Sequence, residues 1–225
     1  MDLWEYFNNN EGKKITKWSH YFPVYEKHFG PLRDKPIKLL EIGVLNGGSL
    51  EMWRKYFHPD SVIVGIDINP ECKLHEQEGM SIRIGDQSDS VFLKSLIDEF
   101  GAFDLVIDDG SHHVNHVNKT FQNLYPMIDK NGMYLIEDTH AAYWDSHGGG
   151  LNEPESINNV SKNLIDMLNA DHTRGAIQPT DFTRSTTSMT FYDSIVVFQK
   201  GVIVNKRPME IGGPKSDEMF IIRTD

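Results

Sequence analysis

Four short apolar runs mark the chain in order: IKLLEIG (37 to 43), SVIVGIDI (61 to 68), FDLVIDD (103 to 109) and GMYLIED (132 to 138). Their length and lack of polar alternation predict strands buried on both faces, and a weaker run, MSIRIG (80 to 85), fits between the second and third. Helical patterns separate them: GSLEMWRKYF, then SDSVFLKSLIDEF, then NHVNKTFQNLYPMI. Strands alternating with helices at this spacing predict parallel βαβ units in a doubly wound α/β sheet. The pattern then changes. STTSMTFY, a tight DS and IVVFQKG predict a hairpin over 185–201, which adds antiparallel strands at one edge and completes a mostly parallel, seven-stranded, Rossmann-like sheet.

Residues 1–36 show no strand pattern but carry Trp4, Tyr6, Phe7, Trp18, Tyr21 and Phe22, which predicts helical packing or a lid over the carboxyl edge of the sheet. The stretch THAAYWDSHGGGLNEPES (139 to 156) reads as a loop, and its three consecutive glycines argue mobility. The expected organisation is a single domain: a helical or lid segment (1–36), a core (37–144), and an acceptor loop, helix and carboxyl-terminal hairpin (145–225). No internal repeat or low-complexity segment interrupts it.

A chain of 225 residues with 39% apolar content supports one full hydrophobic core. Its formal net charge of −11 disfavours binding to nucleic-acid phosphates, so no nucleic-acid partner is expected. Cys72 is the single cysteine, which removes disulfides and a thiolate zinc site. The start, MDLWEYFNNNEGKK, lacks the basic-then-apolar order of a secretory signal, and no apolar run approaches the roughly 18 residues of a spanning helix. A cytoplasmic location without a membrane span is expected, and a homo-oligomer is left open.

Open parallel sheets bind ligands beyond the carboxyl ends of their strands, where the first strand turns into its helix. Here that turn is EIGVLNGGS: Gly43, Gly47 and Gly48 allow close backbone approach, Ser49 opens the helix, and Glu41 supplies a carboxylate. No Gly-Lys-Ser/Thr follows, and the spacing departs from the dinucleotide fingerprint. An acid in this turn suits an amino-acid ammonium better than a pyrophosphate, which points to S-adenosylmethionine. Asp67 ends the second strand, where an acid commonly accepts hydrogen bonds from ribose hydroxyls, and Asp86 and Gln87 end the next, facing an adenine edge.

Asp108 and Asp109 end the fourth strand, and Glu137 and Asp138 end the fifth. Up to four carboxylates thus converge at one rim, and such a group requires protons, cations or metal. Oxygen ligands favour Mg²⁺, Mn²⁺ or Ca²⁺ over zinc. His112, three residues beyond Asp109, is placed to remove the proton of a hydroxyl whose pKa a dication lowers. His113 and His116 are weaker candidates, and a histidine-rich zinc site is the rival reading of this turn. A metal hydrolase using the same cluster and a non-enzymatic nucleotide-binding module also remain as alternatives.

The run LLEIGVLNGGSLEMW, followed by GIDINP, GDQSD, FDLVIDDGSHH and GMYLIEDTHAAYW, resembles the metal-dependent macrocin and mycinamicin sugar O-methyltransferases and related bacterial glycan methyltransferases over residues 37–144. The resemblance implies a class I methyltransferase fold with Mg²⁺ (or Mn²⁺) held by Asp109, Glu137 and Asp138, and with His112 as general base. It also implies that the Glu41 and Gly43 turn, Asp67, the pair Asp86 and Gln87, and Asp108 serve the S-adenosylmethionine side. The expected acceptor is a hydroxyl of a sugar, glycan or sugar-containing metabolite, with a small non-sugar or phosphorylated molecule as the alternative. The long amino-terminal domain of the mycinamicin-type enzyme is expected to be lacking, so its macrolide acceptor and oligomeric arrangement do not carry over.

Overall fold

The computed structural model describes residues 2–203 and 206–212, so the last part of the expected 145–225 segment lies outside the described residues. The strands are β1 (Lys38–Ile42), β2 (Val62–Asp67), β3 (Met80–Ile84), β4 (Leu105–Asp108), β5 (Met133–Ile136), β6 (Thr186–Tyr192) and β7 (Ile195–Lys200). They form one seven-stranded sheet in the order β3-β2-β1-β4-β5-β7-β6. β1 to β5 run parallel, while β7 lies antiparallel to both β5 and β6. The predicted hairpin therefore enters between β5 and the sheet edge, and its turn uses Ser194 at a φ of 63°.

Two apolar layers sandwich the sheet. Leu39, Ile63, Leu105, Ile107 and Leu135 face one way, toward α1 (Leu3–Asn8), α2 (Phe22–Phe29) and α3 (Gly48–Tyr56). Leu40, Val64, Val106, Tyr134 and Ile136 face the other, toward α4 (Ser90–Phe100) and α5 (Val114–Leu124). This odd-even division is the strand's period of two, and it decides below which carboxylates can meet. Of the amino-terminal aromatics, Tyr21, Phe22, Tyr25 and Phe29 pack inward while Trp4 and Trp18 stay exposed; Tyr25 stacks on Phe29 with ring centroids 5.4 Å apart and meets Trp53 of α3 edge-on at 5.3 Å. α4 begins where Asp89 accepts from the backbone N–H of Val91 and Phe92, a conventional cap.

Between β5 and the hairpin lie α6 (Ile157–Leu168) and the short α7 (Asp181–Ser185). The stretch expected as a loop contains two 3₁₀ turns, Thr139–Tyr143 and Asp145–His147. One glycine of its run has a steric reason there: a Cβ on Gly149 would lie 2.2 Å from the carbonyl oxygen of Ala142.

Register sets the site. Ile42 pairs with Asp108, and Asp108 with Ile136, so the residues after these three leave the sheet at one rim. Backbone bonds carry the ladder one step further, from Asp109 N to Ile42 O at 3.0 Å and from Glu137 N to Asp108 O at 2.9 Å.

Candidate functional site

The turn after β1 is built around Asp67. Its Oδ2 accepts from the N–H groups of Val44 at 2.9 Å and Leu45 at 3.1 Å, and its Oδ1 from Asn69 N at 2.9 Å. Burial by itself would raise this carboxyl's pKa, but the three N–H donors win and hold it below the usual aspartate value. Gly43, at a φ of 93°, cannot carry a side chain: a Cβ would fall 2.2 Å from the carbonyl oxygen of Asp109. The reading that these glycines admit a ligand is thereby modified, because Gly43 admits the neighbouring β4 turn. Gly48 likewise admits the amino-terminal segment, since a Cβ there would lie 2.4 Å from the carbonyl oxygen of Lys14.

Above this turn lies a cavity of about 430 Å³ lined by Gly43, Leu45, Asp67, Asp86, Gly110 and Ser111, among others. Its size is that of a cofactor or small-molecule site. Gly48, Ser49, Gln87, Asp109, His112 and Asp138 also reach it. Glu41, Gly47, Asp108 and Glu137 are not among its lining residues. Glu41 is fully buried beneath the turn, accepting from Ser49 Oγ at 2.7 Å and Trp53 Nε1 at 3.1 Å. Gly47, at a φ of 72°, forms the left-handed cap that opens α3.

The expected convergence of four carboxylates is corrected. Asp108 sits on the opposite face of the sheet from Asp109, because successive strand side chains alternate. Tyr134 OH donates to it at 3.0 Å and Gln87 Nε2 at 3.2 Å, and burial pushes its pKa up to about 7 against those hydrogen bonds. Gln87 is also engaged internally: its Oε1 accepts from Ser111 N at 2.8 Å, so the pair braces the Asp108 to Ser111 turn from behind.

On the near face, Asp109, His112 and Asp138 each direct a ligand atom to one point, all within 4.8 Å of one another. His112 Nε2 is 3.8 Å from Asp109 Oδ1 and 3.5 Å from Asp138 Oδ2. Both His112 and Asp138 adopt left-handed backbone, with φ of 55° and 51°, and Leu45 of the cavity does so as well at 47°. Strained non-glycine residues concentrate where a function requires them. Burial lowers the His112 pKa, overcoming Asp109 and Asp138, which act to raise it, so the imidazole is neutral at pH 7.

Glu137 shares the Lys17 ammonium with Asp109. It is buried, accepts from Tyr25 OH at 2.7 Å, and faces the ammonium of Lys17 at 2.9 Å. Of the expected trio, Asp109 and Asp138 lie in the group with His112, while Glu137 is joined to Asp109 through that ammonium. Lys17 also lies 2.5 Å from Asp109 and 3.7 Å from Glu41, with a side chain only 2% exposed. Burial works to lower its pKa, but the three carboxylates together raise it well above the ordinary lysine value. Tyr21 OH donates to Asp138 Oδ1 at 2.5 Å. Lys17, Tyr21 and Tyr25 are functional-site residues that sequence reasoning did not assign to the site. The demand of clustered carboxylates for a cation was the one available signal, and it did not say which lysine answers it.

Among the described residues, His113 and His116 do not join the cluster. Their rings lie tilted to each other with centroids 5.1 Å apart, and His116 Nδ1 contacts Ser111 Oγ at 2.9 Å, so the histidine-rich zinc site lacks its ligands. Two aspartates and a neutral imidazole lining one cavity fit a hard divalent cation with positions left for substrate oxygens. The strand order, the glycine turn and the acid closing β2 define a class I methyltransferase fold.

Comparison with known proteins is consistent with this. The chain is 35% identical over 212 residues to the 8-demethyl-8-(2-methoxy-alpha-L-rhamnosyl)-tetracenomycin-C 3'-O-methyltransferase of Streptomyces olivaceus, covering 89% of this chain and 54% of that protein. It is 35% identical over 202 residues to the demethylmacrocin O-methyltransferase of Streptomyces fradiae, covering 83% and 50%. The solved structure of MycE methyltransferase from the mycinamycin biosynthetic pathway, in complex with Mg, SAH and mycinamycin VI, superposes with a TM-score of 0.81 at 32% identity, covering 90% of this chain and 54% of that one. No family model matches. The chain spans about half the length of the curated relatives it matches. Over the region it shares with them, the chain has the class I methyltransferase fold and is similar to the macrocin and mycinamicin sugar O-methyltransferases.

Proposed function

We propose that this chain transfers the methyl group of S-adenosylmethionine to a hydroxyl of a sugar or sugar-containing acceptor, assisted by Mg²⁺ or Mn²⁺. The carrying observation is the direct opening of the nucleoside-sized cavity onto the Asp109, His112 and Asp138 cluster. A hydrolase would need the cluster but not the cavity. The sugar acceptor is supported by the names of the relatives, which include rhamnosyl 2'- and 3'-O-methyltransferases.

The residues divide the work. The Gly43 to Ser49 turn, Asp67 and the Asp86 loop would hold the donor, since Asp67 retains lone pairs beyond those its three N–H donors use. Glu41 supports that turn from below through Ser49, and Gln87 with Asp108 fixes the Ser111 side of the cavity. Asp109 and Asp138 would hold the cation with His112 alongside, and Glu137 would act on it through its shared lysine rather than by shared position. When bound, the cation supplies a lowered hydroxyl pKa and a fixed orientation for adjacent acceptor oxygens. Neutral His112 accepts the hydroxyl proton as the oxygen forms its bond to the methyl carbon, while the carbon–sulfur bond breaks and S-adenosylhomocysteine leaves. Holding both reactants in line is the main contribution of such a site.

Such an enzyme would work in the cytoplasm on a small-molecule or glycan acceptor, without a nucleic-acid partner. Among the described residues no helix is long and apolar enough to cross a membrane. The test is incubation with labelled S-adenosylmethionine and a panel of rhamnosides, nucleotide sugars and phosphorylated acceptors, with and without chelator. Cation-dependent label in a sugar hydroxyl is expected. Label confined to non-sugar acceptors, or full transfer in the presence of chelator, would overturn the proposal.

A further inference from the structure

The rings around the cation cluster are unusually exposed. Trp18 is 54% exposed, Tyr143 54% and Trp144 47%, in a protein whose other indole outside the amino-terminal helix, Trp53, is fully buried. They are not scattered. Trp18 meets His140 edge-on at 5.7 Å, His140 meets Trp144 at 4.9 Å, and Trp144 meets His147 at 5.4 Å. His140 Nδ1 is 4.0 Å from Asp138, so this row of rings begins at the cluster itself. It is assembled from two distant segments, one that also sends Lys17 inward and one that follows β5. Half-exposed indoles joined through partly buried imidazoles form a clustered aromatic surface, and clustered exposed aromatic surface marks a binding site more than scattered single residues do.

We propose that Trp18, His140 and Trp144 form a shelf that seats the pyranose ring of the acceptor, holding the hydroxyl beside it over His112; this rests on the methyl-transfer reading above. A pyranose presents C–H bonds on a face and hydroxyls around its edge. The negative face of an indole attracts polarised C–H groups, and the imidazole nitrogens between the indoles can bond the edge hydroxyls. The ring angles favour this guest. Neighbouring rings meet at 86°, 65° and 65°, which makes a stepped corner, whereas a flat aromatic acceptor would be held by parallel walls. Beyond His140 and Tyr143 the surface continues into a second cavity of about 470 Å³ lined by Asn158, Asn159, Lys162 and Asp193, whose polar groups suit the remainder of a glycoside.

The test uses saturation-transfer NMR with methyl α-L-rhamnopyranoside as probe, in the presence of S-adenosylhomocysteine and Mg²⁺, and catechol as the flat competitor. Both indoles are half-exposed, so Trp18→Ala and Trp144→Ala are expected to fold and to bind S-adenosylhomocysteine as the wild type does. The shelf requires transfer to one face of the pyranose, and about fivefold weaker probe binding in each alanine variant, the scale of a truncated aromatic anchor. Trp144→Phe should recover most of it. Probe binding unaltered in both alanine variants, no probe binding to the wild type, or catechol bound in preference would each overturn the shelf. Failure of the wild type to bind S-adenosylhomocysteine would instead remove the methyl-transfer reading on which the shelf rests.

Discussion

The ammonium of Lys17 lies 2.5 Å from Asp109 Oδ2, across 92 positions of sequence. One lysine from the amino-terminal segment thereby pairs with three carboxylates, Glu41, Asp109 and Glu137, that β1 and the ends of β4 and β5 bring to a single rim. Burying those carboxylates without a cation would cost several kcal/mol for each charge. Lys17→Met removes the ammonium while keeping the volume, and should destabilise the cation-free protein by about 3–5 kcal/mol, the usual result of leaving buried charge unpaired. For a chain of this size that lowers Tm by about 10 °C. Added Mg²⁺ should raise the Tm of the variant more than that of the wild type. An unchanged Tm in thermal denaturation would show that Lys17 is a bystander.

Asp108 predicts a specific pH dependence. Its folded pKa is raised by burial to about 7, above that of an aspartate in the unfolded chain, so the folded state binds more protons between these values. Stability from this group is greatest below about pH 4, falls as the pH rises toward 7, and levels off above it. The slope is at most about 1.4 kcal/mol per pH unit. Asp108→Asn, which keeps an oxygen for Tyr134, should flatten that part of the profile. Urea denaturation of both proteins at several pH values decides it, and parallel profiles would contradict the effect of burial on this carboxyl.

His112 predicts a change in rate rather than in binding. His112→Ala should lower turnover by about 10² to 10⁴, the ordinary contribution of a general base, while S-adenosylhomocysteine binds as before. Single-turnover measurements at saturating substrates separate these effects. A variant that keeps most of its turnover would transfer the role to another group.

What could be read from the sequence follows its local physics. Short unbroken apolar runs separated by helical patterns located the sheet and its helices, and the DS turn located the hairpin, because each is a short-range signal. The placement of Asp67, Asp109, His112 and Asp138 at strand ends and the turns that follow was legible because those signals are local too. Asp108 and Glu137 have partners the sequence reading did not foresee, for opposite reasons. Asp108 follows the strand alternation and so turns away, a rule the sequence reading did not apply at the strand end. Glu137 obeys it but meets Lys17 and Tyr25, partners more than 100 residues away that no local pattern announces. The shelf was hidden in the same way: Trp18 and Trp144 have nothing in their own neighbourhoods to show that they meet through His140.

The most direct measurement is calorimetric titration of Mg²⁺ into protein loaded with S-adenosylhomocysteine, comparing the wild type with Asp109→Asn and Asp138→Asn. The expected result is a single cation site in the wild type, lost or weakened by at least about tenfold in both variants, with S-adenosylhomocysteine still bound in all three. Cation binding that survives both substitutions, or a wild type that takes up neither S-adenosylhomocysteine nor Mg²⁺ while folded, would contradict a donor cavity joined to a metal site through Asp109, His112 and Asp138.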